Sequence, residues 1–261
     1  MRLSLIRRVI AWGVVAGLVL SGVGLGHPGV VEAVTRAGYD SDATYNAWSA
    51  AEVGTALYLP YINADAAWPW LTRTTVQNAS GVTNTVTLKY FAQTDGSLIT
   101  RSVVLPPYGS GTYTPPPGFS GSMEVDGVQP MAVSANALPL DAARVGDNLM
   151  SYRGVNAGAT QLLVPLVFRN YAGWNSFLAV QNLVTATANL TLDFYSSGGG
   201  LALSLPQAVA ARGAYFADVA TVPGLPDPFD GWVVITSDQP VVSMGHMVNT
   251  SGQALAQEAL V

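Results

Sequence analysis

Only two side chains in this chain could act as an imidazole base, His27 and His246, and there is no cysteine at all. Disulfides, thiolate nucleophiles and thiolate metal sites are therefore excluded, and so few imidazoles do not make a multi-histidine centre. A Ser-His-Asp arrangement would have to use His246, which lies in the apolar run 241–248. A histidine in such a run is expected to pack in a sheet rather than abstract protons. Asp227 and Asp230 approach each other in a proline-rich turn. Turn-forming aspartates explain that spacing, whereas a hard cation wants about six to eight oxygens. No Gly-x-Ser-x-Gly elbow or phosphate loop occurs, and Gly198, Gly199 and Gly200 join two strands. The expectation is a protein that is not an enzyme, with no catalytic residue, metal or cofactor.

Aromatic side chains are the remaining candidates for recognition. Trp68 and Trp70 fall in one inter-strand loop, and Tyr171 and Trp174 fall in a matching loop about a hundred residues on. Exposed, they would form a stacking platform for glycans or a contact between subunits. Buried, they would seal the end of a core or the joint between two modules.

Those two loops match because the chain repeats itself. Pro60 corresponds to Pro165, and Val76, Gln77 and Asn78 correspond to Val180, Gln181 and Asn182 after a one-residue slip. Further on, Gly121 lies over Gly231, and Gln129 and Pro130 over Gln239 and Pro240, without a gap. In this frame His246 falls on Asn136. A duplication in 261 residues implies two modules.

Each module reads as about seven short strands. Val86, Leu88 and Tyr90, and again Leu190, Leu192 and Phe194, alternate with polar residues, the period of a half-buried strand. Asp95 and Gly96, and the Gly198–Gly200 run, supply hairpin turns at equivalent places. Each Gln-Pro is read as introducing a separate strand, so 122–125 and 131–138 count as two strands. The expected fold is all-β: two tandem immunoglobulin-like antiparallel β-sandwiches without the Cys…Trp…Cys signature. The boundaries expected are 34–54 for a linking segment, 55–146 for the first sandwich and 147–261 for the second. The last begins with a lead-in strand near 147–154. The C-terminal residues 253–261 look like a further copy of that lead-in. Such a segment either closes its own sandwich or adds to the open sheet edge of a neighbouring molecule.

Charge is scarce: 10% of residues are Asp, Glu, Lys or Arg, the net charge is -5 and Lys89 is the sole lysine. No basic track exists for nucleic acid. At the N-terminus Arg2, Arg7 and Arg8 precede an apolar run, and small residues before Ala33 form a cleavage site. Residues 1–33 read as a secretory signal peptide, which leaves no membrane span after its removal. The competing reading is an uncleaved anchor, weakened by five glycines in and after the run.

In the residues around Val164–Trp174, Val180–Asn182 and Gly231–Pro240, the chain resembles tandem β-sandwich repeats of secreted and cell-surface bacterial proteins. The resemblance implies the fold and an extracellular location but no activity. Together these readings suggest a secreted structural protein that self-associates or binds other surface proteins, as a filament or surface-layer subunit. The alternative is a glycan-binding or adhesive module using the loop aromatics.

Overall fold

Fourteen strands follow one another in the computed structural model, which describes residues 48–67, 70–139, 150–249 and 254–256. The signal-peptide segment 1–33 and Trp68 lie outside the described residues. The first seven strands are β1 (Gly54–Asn63), β2 (Trp70–Asn78), β3 (Asn84–Ala92), β4 (Leu98–Leu105), β5 (Ser110–Tyr113), β6 (Ser120–Pro139) and β7 (Met150–Arg153). The second seven are β8 (Ala159–Arg169), β9 (Trp174–Asn182), β10 (Ala188–Ser196), β11 (Leu201–Val209), β12 (Ala214–Asp218), β13 (Phe229–Asn249) and β14 (Ala254–Ala256).

The chain is all-β, with two antiparallel curled sheets. Their strand orders are the same. One runs β4-β3-β6-β2-β5 with β1 and β7 also on β6; the other runs β11-β10-β13-β9-β12 with β8 and β14 also on β13. Each sheet curls about its longest strand. The first half of β6 pairs with β3 and β1, and its second half pairs with β2 and β7. β13 divides in the same way between β10 and β8, then β9 and β14.

Two strands expected on either side of Gln-Pro are thus one continuous strand. The proline sits where the strand changes neighbours, the one place where its missing N–H interrupts no ladder. Its carbonyl remains in use: Pro130 accepts from Ala79 N–H at 2.9 Å, and Pro240 from Leu183 N–H at 3.1 Å. The segment expected to lead into the second module, β7, is hydrogen-bonded into the first sheet. Its counterpart β14 pairs with β13 of the same chain. That part of the C-terminal segment closes its own sheet; residues 34–47 lie outside the described residues.

The repeated Val-Gln-Asn motif has a local reason. Asn78 is fully buried and donates to Val82 O and Pro106 O, while its Oδ1 accepts from Ser80 N–H. Asn182 does the same with Ala186 O, Ala210 O and Val184 N–H. One amide therefore pins two loops in each module, satisfying backbone groups that burial would otherwise orphan. The aligned glycines have a steric reason. A Cβ on Gly121 would stand 2.0 Å from Phe91 O, and one on Gly231 1.9 Å from Tyr195 O.

The alternating apolar positions face inward as the period of two requires. Leu192, Phe194, Val233 and Ile235 fill the second core, and Leu88, Val125, Val133 and Leu57 fill the first. The first core does not stop at its own sheet: Phe177, Ala179, Ala214, Phe216 and Met244 of the second module belong to it.

Candidate functional site

The strongest concentration of unusual residues is the joint where the outer face of β9, β12 and β13 packs on the first module. Residues 177, 179 and 181 on β9 point away from the second core because their neighbours Leu178 and Val180 point into it. Phe177 and Phe216 lie 5.1 and 4.9 Å from the ring of Tyr61. Trp70 closes the cluster, 5.5 Å from Phe177 and 5.3 Å from His246, both edge-on.

His246 is fully buried here, and no donor or acceptor meets either ring nitrogen. Burial lowers its pKa from 6.5 to about 4, so the ring is neutral near neutral pH. Among the described residues no hydroxyl or carboxylate is hydrogen-bonded to it, and its side chain has no exposed surface. Its partner across the ladder, Phe177, and its ring neighbour Trp70 are apolar.

Beside this apolar patch lies a compact charged one. Arg212 sits at the tip of the β11–β12 turn with φ 59. Its Nη1 donates to Glu124 Oε2 at 2.8 Å, and its guanidinium lies 5.9 Å over the Phe91 ring. The Tyr58 hydroxyl interacts with the same guanidinium. Lys89 meets Glu124 from the other side at 2.9 Å and also pairs with Asp126. Glu124 is only 6% exposed, so its two cations offset the cost of burying it. Across the joint Ser122 Oγ donates to Arg212 O and Gln181 Nε2 donates to Met123 O, each at 3.4 Å. The main chains also come close: a Cβ on Gly96 would lie 2.0 Å from Ala211 O.

The expected aromatic sites separate. Trp70 is 5% exposed and packs in the joint against Phe177. Tyr171 is 42% exposed and stacks on Phe168 at 5.6 Å. Trp174, the positional counterpart of Trp70, is half-buried. Tyr171 and Trp174 exchange backbone hydrogen bonds across Ala172 and Gly173, both with positive φ, the geometry of a tight hairpin. Asn170 ties this hairpin to Asp227 at 2.9 Å and accepts from Asn175 at 3.1 Å, with Arg169 Nε 3.6 Å from Asp227. Asp227 is thereby engaged in holding loops together. No group of three or more metal-ligating side chains occurs among the described residues, and none of their helices is long and apolar enough to cross a membrane.

Sequence reasoning missed Arg212, Glu124 and Phe177. Glu124 had no local signal, since it alternates with Ser122 and Asp126 on the outward face of β6 while Met123 and Val125 point into the core. Arg212 in a turn had none. Two further surfaces stand open. On the edge strand β4, Leu98, Ile99 and Val104 are exposed. On the outer face of β10 and β13, Tyr195 and Trp232 stack at 4.5 Å, both half-buried. Comparison with protein-family models, curated proteins and solved structures finds no match for this chain.

Proposed function

We propose that this is a secreted, non-enzymatic structural protein of the cell surface or extracellular matrix, released by removal of residues 1–33, that works by self-association. Each curled sheet serves in this reading as an immunoglobulin-like sandwich, as the resemblance to secreted bacterial repeats implies. The observation that carries it is the joint: one copied module is already docked on the other through a buried apolar and ionic contact. The one imidazole among the described residues is sealed inside that contact, where it cannot reach a substrate.

Strand addition has a suitable site. β4 is an outer strand with apolar residues on both faces and no proline between Leu98 and Leu105, while the equivalent β11 carries Pro206. Open, proline-free edges invite pairing, and proline blocks it. Sedimentation velocity over a wide concentration range, with negative-stain microscopy, tests the proposal. Concentration-dependent growth is expected; a strict monomer at the highest concentration overturns it.

A second reading, glycan binding, is favoured by the exposed Tyr171 beside the Asn170 and Asn175 amides. Binding to an array that is lost in Tyr171→Ala and Trp174→Ala would support it.

A further inference from the structure

The joint has a receiving face on the first module and an inserting face on the second, so the chain carries one unused copy of each. The insert in the joint is Arg212, at the third position of a turn closed by Gly213 N–H donating to Ala210 O at 2.9 Å. In the first module Gly109 N–H donates to Pro106 O at 2.9 Å, which places Tyr108, φ 55, at the Arg212 position. Tyr108 is 69% exposed, the highest value among the exposed large hydrophobic side chains of the described residues.

The pocket that receives Arg212 is made of Tyr58, Phe91 and Glu124. Strand register gives its counterparts in the second module. Lys89 pairs with Glu124 as Asp193 pairs with Val234, and Phe91 pairs with Ser122 as Tyr195 pairs with Trp232. Tyr58 pairs with Glu124 as Leu163 pairs with Val234. The unused pocket is therefore Leu163, Tyr195 and Val234, with Trp232 stacked on Tyr195. Leu163 is 48% exposed.

Both halves of the contact have changed in the same sense. Where the internal joint pairs a guanidinium with a carboxylate, the two unused faces offer a phenol ring and an aliphatic and aromatic pocket bordered by Asp193, the counterpart of Lys89. The second contact changes compatibly as well. Phe177, which packs on Trp70, has Arg73 as its counterpart, and Trp70 has Trp174, so an aromatic contact becomes a cation–π one.

We propose that Tyr108 of one molecule docks in the Leu163–Tyr195–Val234 pocket of a second copy, repeating the internal joint between molecules. Each molecule then uses two different faces, a head-to-tail contact that propagates into an open chain. This inference rests on the self-association reading and specifies its polarity.

The test uses the full chain by sedimentation velocity and electron microscopy, with wild type, Tyr108→Arg, Val234→Glu and an equimolar mixture of the two variants. Each variant alone is expected to weaken association by about 30-fold or more, the loss typical of a central aromatic anchor. The mixture is expected to restore growth beyond heterodimers: the intact Tyr108 of one variant docks in the intact Val234 pocket of the other, and the guanidinium introduced at position 108 meets the carboxylate introduced at position 234, as Arg212 meets Glu124. Tyr108→Ala, which introduces no charge, is expected to weaken association similarly, and its mixture with Val234→Glu stops at heterodimers, because the intact Tyr108 of one variant fits the intact Val234 pocket of the other while the two altered faces do not pair. Unchanged circular dichroism and melting confirm that the surface substitutions leave the fold intact. Association that persists in all single variants overturns this contact and leaves β4 addition standing, and a mixture that grows no further than the Tyr108→Ala mixture also overturns this contact. A wild-type chain that is monomeric throughout overturns both.

Discussion

The outer face of β9, β12 and β13 and the same face of β2, β5 and β6 have the same strand order and register but opposite chemistry. In the second module the cross-strand pair Ala179 and Phe216 is buried under the first module. In the first module the corresponding pair is Thr75 and Thr112, whose hydroxyls lie 2.9 Å apart in an exposed contact. Phe177 faces Arg73 in the alignment, Met244 faces Ser134, and His246 faces Asn136, whose amide oxygen accepts from Ser151 at 2.8 Å. Most inward-facing positions, by contrast, stay apolar in both copies, with Thr74 in the place of Leu178 as an exception. Duplication preserved most of what fills a core, and the outer faces diverged according to whether the other module of the same chain covers them.

The comparison is broken most severely by truncating its buried member. Phe177→Ala is expected to destabilise the chain by about 3–5 kcal/mol, because it leaves a cavity between Tyr61, Trp70 and Phe216. Arg73→Ala, at the matching exposed place, should stay within about 0.5 kcal/mol. Urea unfolding of both variants gives the two values, and equal effects would refute the contrast.

Acid should act on one module's face and not the other's. His246 holds its pKa at about 4 by burial, against 6.5 when exposed. The unfolded chain therefore takes up a proton that the folded chain refuses as pH falls from about 6.5 toward 4. Stability is lost across that window, by about 3 kcal/mol at its lower end. His246→Leu should flatten the decline in a pH series of melts, while substitution at Asn136 should not alter it.

Glu124→Ala removes the acid shared by Lys89 and Arg212 and is expected to cost about 2–3 kcal/mol. Val234→Ala, at its uncovered counterpart, should cost about 1 kcal/mol or less. Chemical denaturation of the two variants side by side measures both. The smallest expected difference is in fluorescence. Trp174 should be quenched by acrylamide and Trp70 should not, since only Trp70 lies in the joint.

Much of the fold was legible. The alternation in Val86–Tyr90 and Leu190–Phe194 reports burial directly, because successive strand residues face opposite ways. The Asp95–Gly96 turn was equally readable: Gly96 has φ 69, a conformation that costs glycine little. The fusion of two expected strands into β6 was hidden, because a proline that ends one ladder and a proline that sits at a change of ladder look alike in sequence. The candidate aromatics were found, but their fates were not. Trp70 and Trp174 have the same spacing from Val-Gln-Asn, and only the presence or absence of a covering module separates them.

By itself the sequence determined that the chain is all-β, duplicated, free of cysteine chemistry and poor in charge, since composition and local period depend on nothing distant. Tertiary structure alone decided that Phe177 and Trp70 belong to one core, that Glu124 meets Arg212, and that His246 is sealed and neutral. These pairings join residues about a hundred positions apart across a face that no local pattern marks. A residue's exposure on an outer face is set by its neighbour in space, and here that neighbour is the chain's own second copy.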